Sequence, residues 1–133
     1  MNEKQKNILI VDDDKQTRLK LTRALARPDY AVSSVEDGNE ALQMLSAKPF
    51  DLILLDILMP KMDGIEVLKQ LQADTSRKMP EVIVISAVED PESIQRCRQL
   101  GARYYLTKPV DADLLNARVK EALAGKGIPE TNE

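Results

Sequence analysis

The sequence predicts a single doubly wound α/β domain, with five parallel strands and helices on both faces of the sheet. Three observations predict it. Short apolar runs alternate with segments of helical period five times over. Two of those runs, 52–55 and 82–85, are aliphatic at every position, and Pro, Gly or Asp punctuates most junctions. Strands buried on both faces read as continuous aliphatic runs, and their alternation with helices means right-handed βαβ units and a parallel sheet. The simplest wrapping of five such units is the flavodoxin-like order 2-1-3-4-5.

In chain order, Asn7-Ile8-Leu9-Ile10-Val11 is the first strand, ending abruptly in Asp12-Asp13-Asp14. Leu21, Ala24 and Leu25 then recur at helical spacing, with Asp14 as N-cap and Pro28 setting a break after Arg27. Residues 30–35 read as a second strand. Glu36-Asp37-Gly38 turns the chain into a helix over 39–48 that carries Ala41, Leu42 and Leu45 and stops at Pro49. The third strand, 51–56, delivers Asp56 to its carboxyl end. Pro60 forbids continuation, Asp63-Gly64 is turn chemistry, and a helix over 64–74 presents Ile65, Leu68 and Leu71. Residues 81–86 form the fourth strand. Pro91 suits the first position of a helix reaching about Leu100, closed by Gly101. The fifth strand, 103–107, precedes Lys108-Pro109. A last helix over 111–124 has Asp111 as cap and Leu114, Leu115, Val119 and Leu123 facing inward. The domain is expected over 1–124, with 125–133 a tail or truncated linker.

Composition narrows the function classes. Of 133 residues 43% are hydrophobic and 31% charged, a globular balance, and the net charge of −3 argues against nucleic acid as the main partner. No apolar window is long enough to span a membrane, and the start has no signal-peptide core. The single cysteine, Cys97, cannot form an internal disulfide, which fits a reducing cytoplasm. Histidine is absent, so histidine catalysis, most zinc sites and a phosphohistidine of the chain's own are excluded.

The chemistry gathers at strand ends. In the predicted order the first and third strands are neighbours, so Asp12 and Asp13 face Asp56 across one carboxyl edge. Converging carboxylates repel, and a hard divalent cation such as Mg²⁺ would compensate them. The plainer reading of 12–14 is a helix cap in water. The adjacent Asp56 favours the metal. Ser86 and Lys108 end the fourth and fifth strands, adding a hydroxyl and an ammonium opposite the carboxylates. Together these groups form a cradle for a tetrahedral dianion.

Five motifs carry a family resemblance: Ile10-Val11-Asp12-Asp13-Asp14, Asp51-Leu52-Ile53-Leu54-Leu55-Asp56, Met59-Pro60-Lys61-Met62-Asp63-Gly64, Val84-Ile85-Ser86-Ala87 and Thr107-Lys108-Pro109. Over residues 7–124 the chain resembles the receiver domain of two-component response regulators. The resemblance implies that Asp56 accepts a phosphoryl group from the phosphohistidine of a histidine kinase or phosphotransfer protein. It implies that Asp13 and Asp56 bind Mg²⁺ directly, Asp12 through water, and the Leu58 backbone carbonyl as a further ligand. Ser86 and Lys108 would hold the phosphoryl oxygens, and Ser86 would couple to an inward swing of Tyr105. It also implies a cis Lys108–Pro109 bond. Read as a strand residue alone, Tyr105 is a half-buried aromatic with its hydroxyl at the surface.

Departures from the family pattern are few. Ser86 stands where Thr is commoner, and Val110 replaces a frequent aromatic. Leu58 and Val88, two residues after Asp56 and Ser86, are apolar where the family's hydrolytic water passes, so slow self-dephosphorylation is expected. Arg96, Arg98, Arg103, Arg118 and Lys120 form either a solvated face or the family's output and dimer surface of fourth helix, fifth strand and fifth helix. Cys97 reads as a packing or surface residue without thiol reactivity.

Other classes fit less well. A haloacid-dehalogenase-type phosphatase places an acid/base Asp two residues after its nucleophile, where this chain has Leu58. A flavin module would need a phosphate loop after the first strand, where 12–14 are acidic. A docking scaffold that is never phosphorylated would be expected to lack a site residue, and all five are present. The chain is expected to be either a stand-alone receiver or a domain from a longer regulator.

Overall fold

The computed structural model describes residues 5–59 and 62–125; Pro60, Lys61 and the tail beyond Gly125 lie outside the described residues, and with them the break expected at Pro60. Five strands and five helices alternate: β1 (Lys6–Val11), α1 (Lys15–Ala24), β2 (Tyr30–Val35), α2 (Gly38–Ala47), β3 (Leu52–Leu55), α3 (Gly64–Ala73), β4 (Glu81–Ser86), α4 (Pro91–Gln99), β5 (Tyr104–Thr107) and α5 (Ala112–Leu123). All strand pairs are parallel and the order is β2-β1-β3-β4-β5, as the sequence predicts.

The side-chain alternation of a strand sorts the aliphatic runs into two cores. Leu9, Val11, Ile53, Leu55, Val82 and Val84 point to the face covered by α2, α3 and α4. They meet Ala41, Leu45, Val67, Leu68 and Cys97 there. Ile8, Ile10, Leu52, Leu54, Ile83 and Ile85 point to the other face, where α1 and α5 supply Leu21, Leu25, Leu115 and Val119. Because the central strands are covered on both sides, polar side chains leave the sheet at the strand ends, and Asp12, Asp56 and Ser86 do so at the carboxyl edge.

Every described helix is N-capped by an aspartate: Asp14, Asp37, Asp63, Asp90 and Asp111 each accept from the backbone N–H three residues on, at 2.9–3.0 Å. Asp37 and Asp63, read from sequence as turn formers, are therefore also helix starts. Each such cap typically contributes about 1 kcal/mol. α4 ends as expected at Gly101, whose φ of +105° lets its N–H reach the Arg98 carbonyl while Ala102 N–H reaches that of Cys97.

Two expectations are corrected. α1 ends at Ala24, not Arg27. Leu25 and Ala26 N–H groups reach back to Thr22 and Arg23 in a tightened turn, and the position before Pro28 is disfavoured in the helical region. In α5, Leu114 is exposed, because Leu115, Val119 and Ala122, spaced four and three apart, take the core stripe. Val67, unnoticed in the sequence, is fully buried. No described helix is long and apolar enough to cross a membrane.

Candidate phosphoacceptor site

The register places the site. Val11 pairs with Leu55, so the next residues out, Asp12 and Asp56, leave adjacent strands side by side. Each is held at its backbone by the neighbouring strand: Asp12 N–H donates to Val35 O at 3.2 Å and Asp56 N–H to Val11 O at 3.0 Å. On the other side Ser86 pairs with Thr107, and Lys108 N–H donates to Ser86 O at 3.0 Å. Gly64, first residue of α3, folds the β3–α3 loop back so that its N–H donates to Ile57 O at 3.0 Å. A Cβ there would meet Asp56 O at 2.5 Å and Ile57 Cα at 2.6 Å, so only glycine fits.

Asp12, Asp56 and Ser86 are buried, while Asp13 is exposed. Lys108 reaches in from β5, its ammonium 2.9 Å from Asp12 Oδ2 and 3.0 Å from Asp56 Oδ2. The second oxygen of each carboxylate accepts from backbone, Asp12 Oδ1 from Asp14 N–H at 2.9 Å and Asp56 Oδ1 from Leu58 N–H at 3.0 Å. Burial pushes the Asp12 carboxyl above the usual carboxylate range and the Asp56 charge adds to this, outweighing Lys108 and the Asp14 N–H. Burial pulls the Lys108 ammonium down, but its bonds to Asp12 and Asp56 prevail and hold it above its ordinary value. It stays charged at neutral pH.

Asp12, Asp13 and Asp56 each offer a carboxylate oxygen within 4.8 Å of the others. Three hard anionic oxygens at this spacing suit Mg²⁺, whose ligands stand about 2.1 Å from the ion and which keeps several waters. Asp13 has no hydrogen-bond partner among the described residues, so its carboxylate is free to ligate. Asp13, Asp56, Leu58, Met59, Ala87 and Lys108 line an open cleft. Another groove lies at the opposite, amino-terminal edge of the sheet, between Phe50, Leu71 and Met79. It lacks converging reactive groups: Asp51 is bonded to Asn7 N–H and Arg77 to the Leu45 carbonyl.

Tyr105 is half-buried, and its hydroxyl donates to the Val88 carbonyl at 2.6 Å instead of lying at the surface. Burial raises its pKa, opposed by a hydrogen bond from the side of Ser86. Ser86 Oγ accepts from Val88 N–H at 3.2 Å, so Ser86, Val88 and Tyr105 form one connected unit. The Lys108–Pro109 bond is cis. Of the basic residues read as a surface set, Arg103 is withdrawn: its guanidinium grips Glu81, with Nε at 2.8 Å, and is nearly buried. Arg118 packs over the Tyr104 ring and pairs with Glu121, whereas Arg96 and Arg98 are exposed. Arg18, which no pattern in the sequence singles out, donates from Nη1 to the Asp12 backbone carbonyl at 2.8 Å.

The sequence model of the response regulator receiver domain matches residues 8–120. The chain belongs to that family. As a receiver domain it is 39% identical over 118 residues to the alkaline phosphatase synthesis transcriptional regulatory protein PhoP of Bacillus subtilis, covering 89% of this chain and 48% of that protein. It is 39% identical over 117 residues to the DNA-binding transcriptional regulator NtrC of Salmonella typhimurium, covering 88% and 24%. Among solved structures it resembles a putative response regulator from Chloroflexus aurantiacus, with a TM-score of 0.84, 31% identity and coverage of 91% of this chain and 99% of that one. The receiver spans about half the length, or less, of these curated relatives. The five strand-end residues, Asp12, Asp13, Asp56, Ser86 and Lys108, all lie within the residues that the family model matches.

Proposed function

We propose that this receiver is a phosphorelay switch in which Asp56 takes a phosphoryl group from the phosphohistidine of a partner histidine kinase or phosphotransfer protein. The observation that carries this reading is the Lys108 ammonium bridging buried Asp12 and Asp56, with the Ser86 hydroxyl at the adjoining strand end. The chain holds no histidine, so the donor imidazole has to belong to the partner.

In the transfer, an Asp56 carboxylate oxygen forms the new P–O bond as the P–N bond of the donor breaks, and the imidazole leaves with the bonding pair. The protein's part is positioning and charge neutralisation. Asp13 and Asp56 would hold Mg²⁺ directly, Asp12 through water and the Leu58 carbonyl as a further ligand; bound there, the ion neutralises charge on the transferring group. Lys108 exchanges its hold on Asp56 Oδ2 for a phosphoryl oxygen, and the Ser86 hydroxyl donates to another. The product carries nearly two negative charges and three acceptors where one carboxylate stood. That change draws on Ser86 and, through the shared Val88 backbone, on Tyr105. The shift then reaches the surface of α4, β5 and α5, where Arg96 and Arg98 are exposed and a second copy can dock. The domain's only catalysis is of its own phosphorylation and dephosphorylation.

The test is intact mass after incubation with acetyl phosphate, with and without Mg²⁺, on the wild type and Asp56→Asn. A Mg²⁺-dependent gain of one phosphoryl group that disappears in the variant supports the reading. No gain in any condition refutes it and leaves a docking scaffold with a bare acidic edge.

A further inference from the structure

We infer that Arg18 is a positioning residue for the acidic cluster, acting through the backbone of the β1–α1 loop; this rests on the Mg²⁺-dependent reading of the site. The loop between β1 and α1 must present two neighbouring carboxylates differently. Asp12 is buried and fastened by Lys108 and by the Asp14 N–H, whereas the Asp13 side chain has no partner among the described residues. Its place in the cluster is therefore set by the backbone on either side of it.

Arg18 closes that backbone from both ends. Its guanidinium Nη1 donates to the Asp12 carbonyl at 2.8 Å, and its own N–H donates to the Asp14 carbonyl at 3.0 Å. Arg18, the fourth residue of α1, thus ties the Asp12–Asp13 peptide to the Asp14–Lys15 peptide, the two that bracket Asp13 and Asp14. The Asp12 carbonyl is part of the peptide bond to Asp13 and lies at the strand end where the sheet ladder stops, and the guanidinium is what it accepts from. Groups that orient metal ligands from outside the coordination sphere typically account for about 10–100-fold in affinity.

The competing effect has the opposite sign. A guanidinium on the Asp12 carbonyl repels a divalent cation bound by the cluster, so if Arg18 acted as a charge alone, its removal would strengthen Mg²⁺ binding. Mg²⁺ titration of the full chain, followed by amide NMR shifts, separates the two. Arg18→Met is expected to weaken Mg²⁺ binding roughly tenfold or more while urea denaturation remains cooperative. In an Asp13→Asn background the same change should have little further effect, because residues acting through one another are not additive. Arg18→Lys, which keeps the charge and a donor but not the fork, should fall between wild type and Met. If the Met variant is unfolded, the Lys variant decides alone. Unchanged or tighter Mg²⁺ binding in the folded variants overturns the role of Arg18 and leaves the phosphoacceptor reading standing. Absence of Mg²⁺ binding by the wild type overturns both.

Discussion

Replacing Gly64 by alanine tests the link between close packing and chemistry at this site. The new Cβ would lie 2.5 Å from the Asp56 carbonyl oxygen and 2.6 Å from Ile57 Cα, both backbone atoms that cannot rotate away. Carbon and oxygen settle at about 3.3 Å or more, so the loop has to open by about 0.8 Å. Overpacking of this kind costs typically 1–3 kcal/mol. Against it stands a helical gain of up to about 1 kcal/mol, since alanine narrows the unfolded ensemble and φ at this helix start is ordinary. The net is a loss of about 1–2 kcal/mol, or a fall of roughly 0.5–1 M in the urea midpoint. The displaced atoms belong to Asp56 and to Ile57 beside it, so phosphorylation by acetyl phosphate should slow by about tenfold or more, as misplacement near 1 Å does elsewhere. Urea titration and time-resolved intact mass measure the two effects on one preparation. A variant with a higher midpoint and wild-type phosphorylation would refute the reasoning, because the close approach would then be neither tight nor coupled to the acceptor.

Asp12→Asn should raise the Tm of the Mg²⁺-free protein at pH 7. The Asp12 pKa is raised in the folded state, mainly by burial, so its ionised form opposes folding above that pKa. As pH falls through the raised value the wild type binds a proton and the penalty is relieved; a Tm difference that widens on acidification would contradict this. Leu58→Asn should shorten the phosphoryl lifetime, because Leu58 is 63% exposed at the cleft and cannot orient water, whereas an amide can; decay followed by mass at one pH decides it. The Cys97 thiol, fully buried and pushed up to about 11 by that burial, should resist a thiol reagent in native buffer and react at once in urea. Rapid native modification would place it outside the core.

The elements and their order were legible because they rest on local signals. Aliphatic runs of four or five residues with polar stops mark buried parallel strands whatever surrounds them, and Asp12, Asp56, Ser86 and Lys108 could be read as strand-end residues for the same reason. The structure departs from the sequence pattern where neighbours compete. Leu114 and Leu115 are both apolar, and only the packing of α5 on α1 and the sheet selects Leu115 for the core. Arg103 looks like a surface cation until β4 brings Glu81 against it, 22 residues away in sequence.

What the sequence determines by itself, then, is which chemical groups arrive at the carboxyl edge, since hydrophobic period and turn residues set where each strand stops. Which groups bond one another is a matter of tertiary structure. Lys108 lies 52 residues from Asp56, and its choice of Asp12 over Asp13 follows from the β1–β3 register, which buries one carboxylate and leaves the next in solvent. The Arg18 bond to the Asp12 carbonyl and the contact at Gly64 likewise depend on distances of a few tenths of an ångström between segments packed together. No local pattern encodes those distances, because they are settled only when the whole sheet and both helical layers close around the site.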